Sequence, residues 1–233
     1  MSALQTDVAI VGAGPAGMAA ALRLRALGLS VAVFDEQPAP GGQIYRNVLE
    51  AGIDSRAAIL GPDYVAGLAL AHRFLDSGAD YRPRSTVWRI GEDGLSFTAP
   101  DGGGECAARR VLVATGAMER PFPAAGWTLP GVMTAGAAQI LLKLTGTVAD
   151  GAVFAGCGPL LYLVVAQYVA AGVPVAAVLD TADPARRTDA LRHLPGTLAA
   201  PAYLVKGMRM LAAIRRAGIR VHRNVGEIRF LGG

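Results

Sequence analysis

The chain has 233 residues, of which 52% are hydrophobic and 17% are charged, and its formal net charge is +4. This composition is typical of a well-buried globular protein and excludes a disordered one. The basic residues are almost all arginines scattered among acids, with no aromatic interleaving and no nucleic-acid motif. The positive charge therefore does not predict a nucleic-acid partner.

Cysteine and charge patterns exclude several further classes. Cys106 and Cys157 are far apart and form no C-x-x-C pair, so the sequence predicts neither a disulfide scaffold nor a metal site. Residues 151–179 carry no charge over a length that would span a bilayer, but glycines and prolines divide them into strand, turn, helix, turn and strand. The start of the chain lacks a basic region and a cleavage site. We therefore predict a cytoplasmic protein without a membrane span.

An apolar run at Val8–Val11 predicts a short, buried parallel strand near the start of the chain. A turn with G-x-G-x-x-G spacing follows, and its residues are Gly12, Gly14, Pro15, Ala16 and Gly17. The first glycine permits the tight turn, the second lets a pyrophosphate approach the backbone, and the third lets the helix pack close to the sheet. The free N–H groups and the dipole at the start of that helix make an anion site.

A second strand, Ser30–Phe34, ends at Asp35 and Glu36, about 20 residues beyond the glycines. An acid at this position can accept hydrogen bonds from a ribose. A lone glycine motif is weak evidence, but here the strand, the helix and the acid are all in place. The alternative, a glycine-rich structural turn, leaves the acid unexplained, so we predict that this segment binds a dinucleotide.

The turn after this acid contains two adjacent glycines, Gly41 and Gly42, which let the backbone lie against a flat or charged ligand. An ordinary loop is the alternative, but its place after an acid-ended strand favours a ligand. Helical spacing predicts a helix at Asp63–Ser77. An antiparallel meander is predicted next, from alternating residues at 86–90 and 95–98, a glycine-rich turn at 101–105 and a strand at Ala107–Ala114.

Residues 117–149 have the composition of a connector, with a helix predicted at Thr134–Lys143 and capped by Thr134. The opening pattern then recurs, with strands predicted at 151–155 and 173–179, a helix at 161–171 and an acid at the end of the second strand. Leu161 stands where the third glycine would be. The repeat therefore predicts either a second nucleotide site or a structural relic of the same fold.

The remaining residues predict a helix at Ala202–Arg216 and short strands at 219–221 and Glu227–Leu231. Taken together, the elements predict an α/β protein. Its two Rossmann-like folds are doubly wound, mostly parallel sheets in tandem, and the first has an inserted antiparallel β-meander.

The segments most specific to a known family are Asp35–Arg46, Thr86–Trp88, Val111–Lys143, Gly156–Gln167 and Leu179–Ala182. With them the chain resembles the flavoproteins that carry two dinucleotide-binding domains. Within that group it is similar to the alpha subunits of opine oxidases and D-hydroxyproline dehydrogenases, to the B subunit of hydrogen cyanide synthase and to the alpha chain of heterotetrameric sarcosine oxidase. The resemblance covers essentially the whole chain. It implies FAD in the first fold and NAD(P), or another adenine nucleotide, in the second.

The resemblance also implies roles for individual residues. Gly12, Gly14 and Gly17 would face the FAD pyrophosphate, and Asp35 would bind the ribose, with Glu36 as a weaker choice. Asp180 would favour NAD over NADP, although Arg186 and Arg187 are near enough to accommodate a 2′-phosphate. The further cofactor-binding residues that it implies are Pro15, Ala16, Gly42, Gln43, Arg46, Val87, Ala114, Thr115 and Gly116 in the first fold, and Gly156, Gly158 and Pro159 in the second.

Relatives of this kind are longer than this chain, so we expect it to be an N-terminal portion. The expected domains are an incomplete FAD-binding domain at 1–122, a connector at 123–149 and a second, NAD(P)-like domain at 150–233 that could be truncated. Gln43–Arg46 follows the double glycine without a cysteine. The redox-active cysteine pair of disulfide reductases is therefore missing from this position, and disulfide reduction is not expected.

The resemblance implies an FAD-dependent oxidoreductase, in which this chain is the nucleotide-binding alpha subunit of a complex that oxidises an amine or imino acid. The implied partners are a beta subunit carrying the amine-oxidising flavin site and a small iron–sulfur subunit. No residue is placed for acid, base or nucleophilic chemistry, so the catalytic residues stay unassigned. Two alternatives stay open: a stand-alone NAD(P)H-dependent flavin reductase, and a non-catalytic scaffold whose nucleotides serve assembly.

Overall fold

The computed structural model describes residues 4–120, 122–185, 196 and 200–232. Two compact units divide the chain, Met1–Met118 and Glu119–Gly233. Each unit has a sheet and a buried apolar cluster of its own. The two predicted sheets therefore form separately, one in each unit.

The first unit alternates strands and helices before it ends in a run of strands. In chain order its elements are β1 (Leu4–Val11), α1 (Pro15–Ala26), β2 (Val31–Asp35), α2 (Val48–Ala51), α3 (Arg56–Leu60), α4 (Pro62–Leu75), β3 (Asp80–Pro83), β4 (Thr86–Gly91), β5 (Gly94–Ala99) and β6 (Gly102–Val113). Alternating β and α elements predict a parallel sheet, and a run of strands predicts an antiparallel part.

The sheet of the first unit has the strand order β3-β2-β1-β6-β5-β4. Strands β3, β2, β1 and β6 are parallel, whereas β5 and β4 are antiparallel to their neighbours. Every residue of β2 is buried, and its Phe34 packs against Phe97 of the meander strand β5. The predicted α/β fold with an inserted meander is confirmed.

The glycine-rich segment at 101–105 departs from the prediction, because β6 already begins at Gly102 and pairs with β5. Packing explains the difference. A Cβ on Gly104 would lie 3.3 Å from the ring of Phe97 on β5, and Phe97 is itself buried against Phe34. Glycine leaves room for that ring, so a segment that local composition marks as a turn becomes a strand in the sheet.

The second unit repeats the strand–helix–strand pattern. Its elements are α5 (Ala135–Thr145), β7 (Ala152–Gly156), α6 (Pro159–Ala170), β8 (Val175–Asp180), α7 (Pro201–Arg216) and β9 (Arg220–Arg223). The three strands form a parallel sheet in the order β7-β8-β9. Helix α5 begins as predicted, since the Thr134 hydroxyl accepts a hydrogen bond from the Ala137 N–H at 3.2 Å.

The predicted strand at Glu227–Leu231 does not form. This segment makes one isolated bridge, between Arg229 and Ala125, and the Phe230 N–H donates to the Ala125 carbonyl at 2.8 Å. Its backbone is therefore paired at one point only.

The uncharged stretch at 151–179 folds as β7, α6 and β8, in agreement with the sequence prediction. In the part of the chain that the structure describes, no helix combines the length and apolarity needed to cross a bilayer.

Candidate functional site

A cavity of about 580 Å³ lies in the first unit at the carboxyl ends of β1, β2 and β6. Ligands of open α/β sheets bind at this edge, where the strands end and the helices begin. The cavity is lined by Val11, Gly12, Gly14, Pro15, Ala16, Phe34, Asp35, Glu36, Gln37, Gly42, Gln43, Ile44, Arg46, Ser85, Val87, Ala114, Thr115, Gly116 and Ala117. Every residue predicted for the first site lies on this lining except Gly17.

Backbone forms much of the wall, and glycine is required where chain segments meet. Gly12 has φ +104°, and a Cβ there would lie 2.4 Å from the Ala114 carbonyl oxygen. Gly42 has φ +58°, and its Cβ would lie 2.8 Å from the Gly14 Cα. The glycine turn, the end of β6 and the loop after β2 thus approach each other without side chains between them, which leaves a cradle that an added Cβ would fill.

Gly17 is not on the lining but permits the close packing of α1 against the glycine turn. A Cβ on Gly17 would lie 1.9 Å from the Gly12 carbonyl oxygen. The first turn of α1 can therefore pack against the glycine turn only if residue 17 has no side chain. This contact places the N-terminus of α1 at the cavity, where its free N–H groups attract an anion.

Asp35 ends β2 and is held from two sides. Its Oδ2 accepts a hydrogen bond from the Ala13 N–H at 2.5 Å, and its Oδ1 accepts one from the Gln37 N–H at 2.7 Å. Asp35 is 9% exposed and lies on the cavity lining. Each carboxylate oxygen has two lone pairs, so both oxygens keep acceptor capacity for a ligand hydroxyl.

Arg46 is the one basic side chain on this lining, which lies entirely within the described residues. Its Nη1 donates to Gln37 Oε1 at 2.5 Å and its Nη2 to Gln43 Oε1 at 3.2 Å. The Tyr64 hydroxyl fixes the same loop by donating to the Arg46 carbonyl at 2.6 Å. Two amide side chains therefore hold the guanidinium at the edge of a cavity whose lining also carries two acids, Asp35 and Glu36.

Several lining residues escaped the sequence prediction. Gln37, Ile44 and Ala117 adjoin predicted positions, whereas Ser85 comes from the distant segment between β3 and β4. The Ser85 N–H donates to the Asp35 carbonyl at 2.8 Å, which brings that segment to the end of β2. No local pattern marks a lone serine, so Ser85 can be found only from the sheet order.

Neither cysteine is on the lining of this cavity. Cys106 is buried within β6, and burial raises the pKa of its thiol to about 11. A thiol with so high a pKa is a weak nucleophile at neutral pH. Cys157 lies in the second unit. The residues after the double glycine, Gln43–Arg46, contain no cysteine.

A second cavity, of about 530 Å³, lies in the second unit at the ends of β8 and β9. Its lining consists of Gly158, Pro159, Tyr162, Asp180, Gly207, Met210, Leu211 and Arg223. Three of the predicted residues lie there, and Gly156 does not. Arg186 and Arg187, which sequence reasoning considered for a 2′-phosphate, lie outside the described residues.

Asp180 is buried and, like Asp35, accepts two hydrogen bonds. The Tyr162 hydroxyl donates to its Oδ2 at 2.7 Å, and the Ala182 N–H donates to its Oδ1 at 2.9 Å. Sequence reasoning missed Tyr162, which directly follows the leucine that replaces the third glycine. Arg223 pairs with Asp180 in the register of β8 and β9 and contributes a positive charge to the cavity.

One mostly parallel and one parallel α/β sheet define the class of dinucleotide-binding folds. Each has a glycine turn between a first strand and a helix, and an acid at the end of the next strand. Residues 6–155 match the family model of pyridine nucleotide-disulphide oxidoreductases. The chain belongs to this family.

The comparisons also confirm the resemblance noted from the sequence. The chain is 48% identical over 220 residues to the A subunit of opine oxidase from Agrobacterium tumefaciens (strain Ach5), an alignment that covers 90% of this chain and 43% of that one. It is 38% identical over 227 residues to hydrogen cyanide synthase subunit HcnB of Pseudomonas aeruginosa, covering 94% and 47%. The chain thus spans about half the length of these curated relatives.

Among solved structures, the fold is similar to that of L-proline dehydrogenase from P. horikoshii. The TM-score is 0.62 at 23% identity, and the match covers 77% of this chain and 36% of that one. At this level of identity the likeness shows the fold alone.

Proposed function

We propose that this chain is the nucleotide-binding alpha subunit of an FAD-dependent oxidoreductase complex that oxidises an amine or imino acid. The observation that carries the proposal is the glycine-walled cavity of the first unit, with Asp35 held at one side and the N-terminus of α1 at the other. Such a cavity matches a ligand with a ribose and a pyrophosphate. The family membership supports an oxidoreductase.

The residues present fit FAD. Asp35 would accept hydrogen bonds from the adenosine ribose, and the N–H groups at the start of α1 would bind the pyrophosphate. Arg46 would add positive charge near the phosphates, and Gly42 and Gln43 would lie along the flavin side. Thr115 and Gly116 would close over the cofactor. FAD itself would supply the hydride and electron chemistry, while this chain binds and orients it.

The substrate class and the partners are proposed from the relatives. A subunit of opine oxidase and a subunit of hydrogen cyanide synthase each match most of this chain. By analogy we propose two partners, a beta subunit that carries the amine-oxidising site and a small iron–sulfur subunit. The domains would be an FAD-binding part at 1–122, a connector at 123–149 and a second nucleotide domain at 150–233.

The second cavity is proposed to hold NAD(P) or another adenine nucleotide, with Asp180 at the ribose. Gly158 and Pro159 line this cavity at the start of α6, where a phosphate would bind. A reductase that works alone would use this site to deliver hydride to the flavin. A non-catalytic scaffold would use this site for assembly. Leu161 in place of the third glycine favours the scaffold over the reductase.

The visible absorption spectrum of the purified protein, before and after addition of NADH, tests the proposal. We expect a bound flavin band at about 450 nm that survives gel filtration. Slow or absent bleaching by NADH, with reduction by an amine only when the partner subunits are present, supports the alpha-subunit role. Rapid bleaching of the isolated protein would favour the stand-alone reductase. Failure of the protein to bind flavin, alone and with its partners, would overturn the FAD assignment.

A further inference from the structure

The two glycine turns differ at the position of the third glycine. Gly17 leaves no room for a side chain, because its Cβ would lie 1.9 Å from the Gly12 carbonyl oxygen. Leu161, at the equivalent position, is buried in the apolar cluster of the second unit. Helix α6 therefore meets its strands through a leucine side chain, whereas α1 meets its own through backbone.

The residue that follows the third glycine position also differs in its surroundings between the two units. Met18 follows Gly17 and is fully buried, whereas Tyr162 follows Leu161 and lies on the lining of the second cavity. The N-caps also differ: Gly14 has φ −72°, but Gly158 has φ +87°, a value that favours glycine. The two helices thus begin from different backbone conformations, and Tyr162, six residues after Gly156, reaches the acid.

The hydrogen bonds to the two acids follow the same difference. In the first unit, the backbone N–H of Ala13, inside the glycine turn, holds Asp35 at 2.5 Å. In the second unit, the Tyr162 hydroxyl holds Asp180 at 2.7 Å. The other oxygen of each acid accepts from the backbone N–H two residues later, Gln37 and Ala182. A side chain thus takes the place of a backbone donor in the second unit.

We propose that Tyr162 is a positioning residue that orients the Asp180 carboxylate toward the ribose hydroxyls of an adenine nucleotide in the second cavity. This inference rests on the proposed nucleotide site of the second unit. A fixed carboxylate accepts a hydrogen bond from the 2′-hydroxyl, and its negative charge disfavours a 2′-phosphate. The ligand class is therefore an adenine nucleotide with an unmodified ribose.

The experiment compares ADP, 2′-deoxy-ADP and 2′,5′-ADP by isothermal titration with the purified protein. We expect the wild type to bind ADP roughly tenfold more tightly than 2′-deoxy-ADP, as the loss of a hydrogen bond to a charged group implies. In Tyr162→Phe this ratio should fall to about twofold, because the carboxylate loses the donor that orients it. The ratio of the two affinities is informative because a general loss of protein stability would weaken the binding of both nucleotides by the same factor.

Two matched controls assign the effect. Tyr168→Phe removes a phenol hydroxyl from the core side of the same helix, where Tyr168 is 1% exposed, and should keep the wild-type ratio. Asp180→Asn should abolish the discrimination. Titration of the protein saturated with FAD should give the same ratio as the wild type, which separates binding in the second cavity from binding of ADP in the first.

The proposal is overturned if Tyr162→Phe keeps the discrimination or binds ADP more tightly, since the phenol would then be neutral or would compete with the ribose. A wild-type preference for 2′,5′-ADP would also overturn it, because Arg223 rather than Asp180 would then recognise the ribose substituent. Absence of ADP binding in the second cavity would remove its basis, while the flavin spectrum tests the first cavity independently.

Discussion

Gly14 illustrates how one missing side chain can define a binding site. Its backbone has φ −72°, which other residues adopt readily, and a Cβ there would meet nothing nearer than the Gly42 Cα at 3.7 Å. The fold therefore tolerates a side chain at this position, but the cavity would lose the open approach to the N-terminus of α1. Gly12, Gly17 and Gly42 differ, because a Cβ on any of them would overlap backbone.

We predict that Gly14→Val lowers FAD affinity by roughly tenfold to a hundredfold, because the side chain blocks hydrogen bonds from the helix N-terminus to the pyrophosphate. Fluorescence quenching of added FAD measures the affinity, and urea unfolding of the FAD-free protein should show little change. Gly91→Ala, at the last residue of β4 where a Cβ meets nothing within 4 Å, is the control. Loss of turnover with assembly intact would argue for an enzyme, and loss of assembly alone for a scaffold.

Arg46 provides a second test at the residue scale. Its guanidinium is held by the side-chain oxygens of Gln37 and Gln43, a geometry that matches its planar fork. We predict that Arg46→Met weakens FAD binding about tenfold, and that Arg46→Lys restores only part of it, because an ammonium cannot contact both amides and a phosphate in the same geometry. The measured dissociation constants should depend less on salt in Arg46→Met than in the wild type. Equal affinity of all three proteins would remove Arg46 from the site.

At the scale of elements, helix caps and packing follow from local chemistry. Helix α5 begins at Ala135 because the Thr134 hydroxyl accepts the Ala137 N–H, and it ends before Gly146, which has φ +71°. The connector is therefore only partly irregular. Its helix belongs to the second unit and packs on α6, where the Gln139 amide donates to Gln167 Oε1 at 2.8 Å.

We predict that Thr134→Ala lowers the free energy of unfolding of the second unit by about 1 kcal/mol, the usual effect of losing a side-chain cap. Thr134→Ser keeps a hydroxyl at the N-cap and should retain most of the stability. Urea unfolding of the FAD-free protein measures both variants. A loss of similar size in Thr134→Ser would show that the methyl group, rather than the cap, stabilises the helix.

Considered as a whole, the molecule places one proposed nucleotide cavity in each of its units, each at the carboxyl ends of parallel strands. The lining of each cavity belongs to one unit. A ligand that binds only the folded form stabilises the unit that holds it, in proportion to the logarithm of its free concentration.

We predict that FAD at about 100 times its dissociation constant raises the free energy of unfolding of the first unit by about 2.7 kcal/mol. Native-state hydrogen exchange should show this as slower exchange in β1 and β2, with β7 and β8 unchanged. FMN, which lacks the adenosine, is the control ligand. It should slow exchange in β1 and β2 far less than FAD, because it has no adenosine ribose to bind Asp35. Equal protection of β7 and β8 by FAD would contradict the assignment of FAD to the first unit alone.

Local sequence was enough to predict the two strand–turn–helix–strand patterns, the acids that follow them and the cap of α5. These features depend on neighbouring residues: apolar runs of strand length, glycines at a fixed spacing and a threonine before a helix. Almost all the residues predicted for the first site therefore line one cavity. The turn, the acid and the double glycine all follow strands of a parallel sheet, whose carboxyl ends lie at the same edge.

Features that depend on distant partners emerged only from the folded chain. Gly102–Gly104 forms a strand because buried Phe97 lies opposite, and Glu227–Leu231 forms none because its backbone finds a partner at one point. Ser85 reaches the first cavity through the sheet order. Tyr162 donates to Asp180 across the second cavity, next to a Leu161 that is buried in the core. Local sequence cannot encode these outcomes, since each is set by the side chain or strand that packs against it.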